Sequence, residues 1–235
     1  MIQNENIIII SSIDWDFIWQ GHQEIASRLS EKGNRVLFIE NTGVRSPGLK
    51  DFSRLNKRLK NWFHSIKGFK KLNNHLYLYS PVVLPFPYSR IALYINHFII
   101  HSSIHRWQKR LKFDNPIILT FLPTQLANKL SASIDKKAYV YYCIDSFENS
   151  SPKAGKILKS ESQTFKNADA VFVTAHKLKE KAKKYNENVN IVPFGVSLDN
   201  FQIIPKEPDD TKKIPRPIAG YIGGLHQWVD FKMLK

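Results

Sequence analysis

The sequence has a single cysteine and no long hydrophobic run. Cys143 has no second cysteine to pair with, so an intrachain disulfide is excluded. No stretch reaches the roughly 18 to 20 apolar residues of a membrane-spanning helix. The longest candidates are Ile7–Ile10 and Ile91–Ile100, and Asn96 and His97 interrupt the second. The first ten residues also lack the basic region of a signal peptide. We therefore expect a cytoplasmic protein, with at most a peripheral contact with a membrane.

Acidic residues are absent from Phe52 to Phe113. The same stretch carries 12 Lys and Arg residues, so it supplies 12 of the 15 net positive charges of the chain. A region of one charge usually meets a partner of the opposite charge. The composition therefore predicts contact with nucleic acid, an anionic membrane surface or a phosphorylated substrate.

Two kinds of cofactor signature are also missing. A GxGxxG motif needs several glycines after the first strand, but the loop there has only Gly21, at the start of the predicted helix. Nicotinamide dinucleotide binding of the Rossmann type is therefore not expected. No set of His, Cys, Asp or Glu has the spacing of metal ligands, so we predict no metal and no resident cofactor.

Short apolar runs alternate with helical patterns along the first 193 residues. Strands are predicted at Asn6–Ser12, Arg35–Glu40, His75–Ser80, Pro116–Leu122, Ala138–Ile144, Ala170–Thr174 and Asn190–Val192. Helices are predicted at Gly21–Lys32, Ser53–Leu72, Ser89–Lys112, Lys153–Asn167 and Ala175–Tyr185. This alternation predicts an α/β fold: a doubly wound, mostly parallel, Rossmann-like sheet with helices on both faces.

The amino-acid composition changes after residue 196. Residues 197–217 are rich in proline and charge and are interpreted as a linker. An eighth strand is predicted at Ile218–Ile222, followed by Gly223-Gly224 and a helix starting near Trp228. One strand and one helix cannot bury a core. They either dock on the first domain or begin a second domain that is cut short, and we favour the second interpretation for residues 218–235.

Polar and aromatic residues gather in the loops that follow two strands. In an open parallel sheet, ligands bind beyond the carboxyl ends of the strands. Indole rings beside carboxylates and amides suit a sugar, although Trp15 and Trp19, four residues apart, also fit a core. The residues concerned are Asp14, Trp15, Trp19, Gln20, His22 and Gln23 after the first strand, and Asp145 and Glu148 after the fifth.

Five motifs in order carry a family resemblance. They are SxxDWxxxWQ at 11–20, YxCIDSFEN at 141–149, NADAVFVTAHKL at 167–178, IVPFGVSLDNF at 191–201 and PIAGYIGGLHQWVDFKML at 217–234. Together they resemble bacterial glycosyltransferases of family 4, which have the two-domain glycosyltransferase-B architecture. The likeness is greatest to transferases of the teichuronic-acid type that build cell-surface polysaccharides.

The resemblance implies that two domains bind different substrates. The first domain (1–196) would be the amino-terminal half of a glycosyltransferase-B fold and would bind a glycan or lipid-linked acceptor. The second would bind the nucleotide-diphosphate sugar, a co-substrate whose anomeric configuration is retained on transfer. By position, the resemblance makes His22 and Asp145 the catalytic candidates. Acceptor-binding candidates are Asp14, Trp15, Trp19, Gln20, Gln23 and Glu148, and donor-binding candidates are Gly195, Gly223 and Gly224.

The sequence departs from the family at the interdomain motif. The family usually has PNGVD, but here Phe194 and Ser197 replace the Asn and the Asp. The polar contacts that those residues make across the cleft are therefore not expected in the same form. The chain also ends before the acidic motif that holds the donor sugar, so this fragment alone is expected to be nearly inactive.

A basic amphipathic pattern covers Arg54–Leu72. Its apolar residues recur at helical spacing and cations fill much of the rest, which is typical of a helix in a membrane interface. An ordinary surface helix packed on the sheet shows the same pattern. The predicted membrane-facing residues are Lys57, Arg58, Lys60, Trp62, Phe63, Lys67, Lys70 and Lys71.

Two other functions remain open from the sequence. The net charge of +15 favours a module that binds nucleic acid or another polyanion. However, no recognised nucleic-acid motif is present, so we expect no specific nucleic acid. A non-catalytic scaffold would also explain the altered interdomain motif.

Overall fold

The computed structural model describes residues 2–42, 68–147, 154–196, 198–202, 206–224 and 229–233 of the chain. The chain divides into two compact units, Met1–Phe194 and Gly195–Lys235. The first unit is an eight-stranded sheet with helices packed on both faces. This architecture confirms the predicted Rossmann-like α/β class.

The sheet is parallel except at one edge. Its strands are β1 (Asn6–Ile10), β2 (Arg35–Ile39), β3 (Phe69–Lys71), β4 (Leu76–Tyr79), β5 (Ile117–Thr120), β6 (Ala138–Cys143), β7 (Ala170–Val173) and β8 (Val189–Ile191). The helices described in this unit are α1 (Gly21–Glu31), α2 (Arg90–Leu111), α3 (Gln125–Ser133), α4 (Ala154–Asn167) and α5 (His176–Lys183). The strand order is β3-β4-β2-β1-β5-β6-β7-β8, and the antiparallel pair is β3 with β4.

The central strand β1 is apolar on both sides because both faces of the sheet are covered. Ile8 and Ile10 belong to one core cluster, together with side chains of α2, α3, α4 and α5. Ile7 and Ile9 point to the opposite face, where α1 packs on the second cluster. Alternate residues of a strand face opposite sides, so a continuous isoleucine run suits a strand buried between two layers of helix.

Side-chain caps fix where three helices begin. Gln20 and Gln23 form a reciprocal capping box at the start of α1. The hydroxyl of Ser89 accepts a hydrogen bond from the Ala92 N–H at the start of α2, and Thr124 caps α3 in the same way. These caps place all three helix starts directly after the loops that leave the carboxyl ends of β1, β4 and β5.

The predicted helix at Ser53–Leu72 is wrong at its carboxyl end. Phe69–Lys71 form strand β3, which pairs antiparallel with β4. Gly68 precedes it with a φ of +88°, a conformation that glycine adopts readily. The ring of Phe69 stacks on Tyr79 at 4.1 Å and on Trp107 at 5.5 Å. The earlier part of the predicted helix lies outside the described residues.

Helix α3 was not predicted. Its sequence QLANKLSAS places Leu126, Ala127 and Leu130 on the buried face. The signals were present in Thr124 as a helix cap and in the spacing of the two leucines. Pro123 and the short length of the helix made this stretch resemble a loop.

The second unit contains a short helix, α6 (Asp199–Gln202), and a 3-10 turn at Thr211–Lys213. The prediction of a strand at Ile218–Ile222 is wrong, because these residues form no strand and all five are exposed. A strand needs a paired neighbour, and the described part of this unit contains none. Residues 231–233 form a turn, while Trp228, where a helix was expected to start, lies outside the described residues.

Candidate functional site

The strand order reverses at β1, which marks a ligand-binding crevice. From β1 the chain passes through α1 to β2 on one side, and from β5 through α3 to β6 on the other. The Ser11 N–H donates to the Ile39 carbonyl at 3.0 Å, and the Phe121 N–H donates to the Ile10 carbonyl at 2.9 Å. The loop after β1 therefore starts between the ends of β2 and β5. In open α/β sheets this switch point is where ligands bind.

His22 lies at this switch point, in the first turn of α1. It is 1% exposed, and its Nε2 lies 2.9 Å from the Ser12 hydroxyl oxygen. Its ring packs on Phe121, with the centroids 4.2 Å apart. Burial lowers the pKa of His22 to about 4, so the ring is neutral at pH 7.

The second ring nitrogen of His22 is buried and lacks a partner. Within the part of the chain that the structure describes, nothing hydrogen-bonds to Nδ1. Most buried polar atoms in folded proteins are bonded, so each exception asks for an explanation. A neutral imidazole with one nitrogen open can bind a hydroxyl or accept a proton from it.

Trp15 anchors the loop to the core rather than presenting a surface. Its ring packs edge-on against Phe38 at 5.0 Å, as part of the second core cluster. The backbone N–H of Trp15 donates to a carboxylate oxygen of Glu40 at 2.8 Å. The amide of Gln23, a fully buried residue, donates to the Trp15 carbonyl at 3.2 Å. These contacts give Trp15 and Gln23 a role in shaping the loop.

Trp19 is an outward-facing aromatic residue of the loop, as is Phe17. It is 54% exposed, with its ring edge-on to Trp15 at 5.7 Å. The indole N–H donates to Glu24 at 2.8 Å. That hydrogen bond and the neighbouring Arg28 lower the pKa of Glu24. The indole is therefore held in place from one edge while much of its surface stays open to solvent.

The remaining polar candidates of this loop lie near Trp19. Gln20 is exposed and Asp14 is half-buried. The Gln20 N–H donates to the Gln23 side-chain oxygen at 3.0 Å, which fixes the backbone beside the indole. The structure thus brings together Asp14, Trp19 and Gln20 in one surface loop that leads directly to His22.

The segment after β8 returns to the start of α1. The ring of Phe194 lies against Gly21 so closely that a side chain at Gly21 would collide with it. Phe194 also packs on Tyr142 at 5.8 Å, and the Tyr142 hydroxyl donates to the Val192 carbonyl at 2.6 Å. In place of the asparagine that the family motif has, Phe194 makes an apolar contact beside the crevice.

Asp145 lies further along the same edge of the sheet. It follows β6, is exposed, and accepts a 3.6 Å contact from the Cys143 thiol through its backbone carbonyl. Since β6 is two strands from β1, the two strand ends are about 10 Å apart. Glu148 lies outside the described residues.

The predicted donor and membrane residues are placed as follows. Gly195, Gly223 and Gly224 belong to the second unit, where the Tyr221 hydroxyl donates to the Gly224 carbonyl at 2.9 Å. Lys70 and Lys71 are exposed on the edge strand β3. The other predicted membrane-facing residues, Lys57, Arg58, Lys60, Trp62, Phe63 and Lys67, lie outside the described residues.

Sequence reasoning missed three residues of the site. Ser12 bonds His22, Phe121 supports its ring, and Glu40 holds the loop through Trp15. Glu40 had a usable signal: it is a carboxylate that ends a buried strand beside β1 and is itself 5% exposed. Ser12 and Phe121 had none, since they contact His22 only through the folding of the sheet.

Within the described ranges, no three His, Cys, Asp or Glu side chains are placed to hold a metal ion. The chemistry available at the crevice is therefore that of a neutral imidazole, a hydroxyl, an open indole and side-chain amides. Such groups bind and orient a polyhydroxylated ligand.

The fold is a Rossmann-like domain with a topological switch point at β1, which is where open α/β sheets commonly bind ligands. A sucrose-phosphate synthase from Thermosynechococcus elongatus has a similar structure, with a TM-score of 0.54 and 14% identity over 83% of this chain. A second chain of the same enzyme matches at a TM-score of 0.50 with 13% identity, over 83% of this chain and 92% of that chain. A structure of trehalose-6-phosphate from E. coli bound with UDP-2-fluoro glucose aligns with a TM-score of 0.48 and 11% identity, over 88% of this chain and 53% of that chain.

These neighbours are glycosyltransferases of the glycosyltransferase-B fold. At 13 to 14% identity the likeness is one of fold. The aligned region covers 49% of the sucrose-phosphate synthase chain with the higher score, so this chain spans about half its length. No protein-family model matches the sequence, and no curated protein matches it significantly.

Proposed function

We propose that this chain is the acceptor-binding part of a retaining, metal-independent glycosyltransferase of family 4. The reaction would move a sugar from a nucleotide-diphosphate sugar to a cell-surface polysaccharide or lipid-linked acceptor. The single observation that carries the proposal is His22, buried at the switch point with one ring nitrogen that has no partner among the described residues. The glycosyltransferase fold of the structural neighbours supports the reaction class.

The loop after β1 would hold the acceptor. A sugar ring packs on an indole face while its hydroxyls bond to neighbouring polar groups. Trp19 offers the open indole, and Gln20 and Asp14 belong to the same loop. The acceptor hydroxyl would then point toward Nδ1 of His22.

His22 would orient the attacking hydroxyl and receive its proton. A positioned general base typically contributes about 10²- to 10⁴-fold to the rate. The remaining catalysis would come from positioning and from stabilising the departing diphosphate. By the family resemblance, Asp145 is a further catalytic candidate, and Gly195, Gly223 and Gly224 would approach the donor.

A cytoplasmic location with peripheral membrane contact fits a lipid-linked acceptor. In the described ranges, no helix is both long and apolar enough to cross a bilayer. Lys70 and Lys71, the described members of the predicted membrane-facing set, are exposed cations.

The test combines acceptor binding with transfer. The chain is titrated with a panel of oligosaccharides by saturation-transfer NMR and incubated with uridine, guanosine and thymidine diphosphate sugars plus lipid-extracted acceptors. We expect Trp19→Ala to weaken glycan binding by about tenfold. We also expect His22→Gln to leave glycan binding within about twofold and to reduce the slow transfer by this chain to the level of a reaction without protein.

A matched control is Tyr185→Ala, which removes an exposed aromatic side chain on the α5 side of the sheet. It should change neither glycan binding nor transfer. Glycan binding that survives Trp19→Ala unchanged, or transfer with inversion of the anomeric configuration, would overturn the proposal.

A further inference from the structure

Helix α2 carries an apolar stripe that is exposed in the part of the chain that the structure describes. Its buried side is formed by Ala92, Asn96, Ile100 and Ile104. The opposite side carries large apolar residues at helical spacing: Ile91, Tyr94, Ile95, Phe98 and Ile99. A surface helix normally places polar residues there, so α2 is apolar on two sides along its first half.

The exposure of these side chains is extensive. Ile91 is 74% exposed, Tyr94 69% and Phe98 63%. The stripe runs over nine residues, which corresponds to about 12 Å of helix. Contiguous exposed apolar surface of this kind marks an interaction site in a soluble domain.

The same outer side of α2 becomes basic along its second half. His105, Arg106 and Lys109 continue the stripe and are exposed. Arg110 and Lys112 add two more exposed cations at the end of the helix. No acidic residue occurs between residues 52 and 113 of the sequence to offset them. We name the outer side of α2, from Ile91 to Lys109, the α2 outer face.

The side chain of Asn96 joins the preceding segment to this helix. The buried amide of Asn96 accepts from the Leu84 N–H at 2.7 Å and donates to the Leu84 carbonyl at 3.0 Å. Leu84 and Phe86, which lie in that segment, are themselves exposed. Apolar surface therefore gathers at the amino-terminal end of α2.

We propose that the α2 outer face docks on an anionic lipid bilayer. Its apolar half would lie at the boundary between headgroups and acyl chains, and its basic half would contact the negatively charged headgroups. Nucleic acid explains the basic half alone, because a phosphate backbone gives no partner for five exposed apolar side chains. The inference deepens the proposed function by naming where the enzyme meets the membrane that holds a lipid-linked acceptor.

Vesicle flotation of the full chain tests this surface without donor or acceptor. The vesicles are pure phosphatidylcholine, or phosphatidylcholine with 30% phosphatidylglycerol, at about physiological ionic strength. We expect binding to the anionic vesicles only. The triple variant Ile91→Gln, Tyr94→Gln, Phe98→Gln should lower the partition coefficient by about tenfold or more. The double variant Arg106→Gln, Lys109→Gln should lower it by about fivefold per charge removed.

The matched control replaces three equally exposed apolar side chains of the second unit, Phe201, Phe231 and Met233, by Gln. It should bind vesicles as the unchanged chain does. Circular dichroism should show the same melting temperature for the α2 triple variant, since its side chains are exposed.

Three outcomes would overturn the proposal: equal binding to neutral and anionic vesicles, retention of binding by the triple variant, or loss of binding only in the second-unit control. A dimer that the triple variant dissolves, or tight DNA binding that it leaves unchanged, would assign the surface to another partner. Because the assay involves no sugar, its failure would leave the proposed transfer reaction untouched, and the reverse also holds.

Discussion

Two buried polar clusters in this domain differ in one respect: whether every buried polar atom has a partner. The Glu161 cluster joins α4, β6 and α5. Glu161 is 1% exposed, accepts from the Tyr141 hydroxyl at 3.1 Å and pairs with Lys181 at 2.7 Å. The His22 cluster consists of His22, Ser12 and Phe121, and its Nδ1 atom has no described partner.

The comparison separates polar groups that hold the fold from those that are open to a ligand. Both oxygens of Glu161 are occupied, and burial, with the Glu161 charge, raises the pKa of the Cys143 thiol to about 12. That thiol therefore stays protonated and unreactive. A bonded, buried network rigidifies its surroundings, whereas the buried Nδ1 of His22 has hydrogen-bonding capacity that no described group uses. The predictions below test this distinction, from the largest effect to the smallest.

Glu161→Ala should give the largest loss of stability. It leaves the Lys181 ammonium, which is 17% exposed, and the Tyr141 hydroxyl without their shared carboxylate. Breaking a buried ion pair from one side costs about 3 to 5 kcal/mol. We expect urea unfolding to show a loss of about 3 kcal/mol in the free energy of unfolding, at the lower end of this range, because Lys181 keeps some access to water. Glu161→Gln keeps the shape of the side chain and should lose less stability. A loss of less than about 1 kcal/mol for Glu161→Ala would contradict the structural role of Glu161.

The pH dependence of stability should report His22. The unfolded chain binds a proton on this residue near its ordinary pKa of 6.5, whereas burial lowers the folded pKa to about 4. Stability from this group is therefore complete above pH 6.5 and falls as the pH decreases to 4, by about 3 kcal/mol in total.

The measurement is the free energy of unfolding from pH 4 to 7 for the native chain and for His22→Gln. Other titrating groups, including His97, whose pKa burial also lowers, contribute to both proteins and cancel in the difference. If the two curves of unfolding free energy against pH ran parallel, the pKa of His22 would be the same in the folded and unfolded states, and burial would not lower it.

Gln23→Ala should have an intermediate effect. The variant removes the capping box of α1 and the amide that donates to the carbonyls of Trp15 and Ile18. Loss of a cap and of buried hydrogen bonds costs about 2 kcal/mol together. Gln20 is the exposed member of the same capping box, so Gln20→Ala should lower the stability to thermal unfolding by about half as much. Equal losses for the two variants would show that the burial of Gln23 does not cause its larger effect.

Ser12→Ala should have the smallest effect, about 1 kcal/mol, because it removes one hydrogen bond to His22. Both ring nitrogens would then lack a described partner and the folded state with neutral His22 is less stable, so acid unfolding should begin at a higher pH. A shift to lower pH would show that Ser12 does not stabilise the neutral ring. Differential scanning calorimetry at pH 5 and pH 7 distinguishes the two results.

The sequence predicted most of the sheet because burial on both faces leaves a direct trace. Ile7–Ile10 and Val36–Ile39 are apolar runs that only a covered parallel sheet accommodates, and both became central strands. The strand at Ile218–Ile222 failed for the converse reason: apolar character marks a strand only where a neighbouring strand supplies the hydrogen bonds.

The sequence predicted which loop forms the candidate site, but it did not predict the role of each residue in that loop. SSIDWDFIWQ identified the stretch, yet the opposite roles of Trp15 and Trp19 depend on Phe38 and Glu40, which come from another strand. The edge strand at Phe69–Lys71 was hidden because its apolar residue also fits a helical pattern, and Gly68 was the cue that the helix does not continue.

Helix α2 has the length of a bilayer span without the composition of one. Its 22 residues extend for about 33 Å, close to the thickness of a hydrocarbon core. Insertion would break both hydrogen bonds between Asn96 and Leu84 and would place Arg106 and Lys109 among the acyl chains. Even with leucine in place of Asn96, the apolar run Ile91–Ile100 would be ten residues interrupted by His97, about half of a membrane span, so the composition of α2 suits contact along a membrane surface and not a crossing.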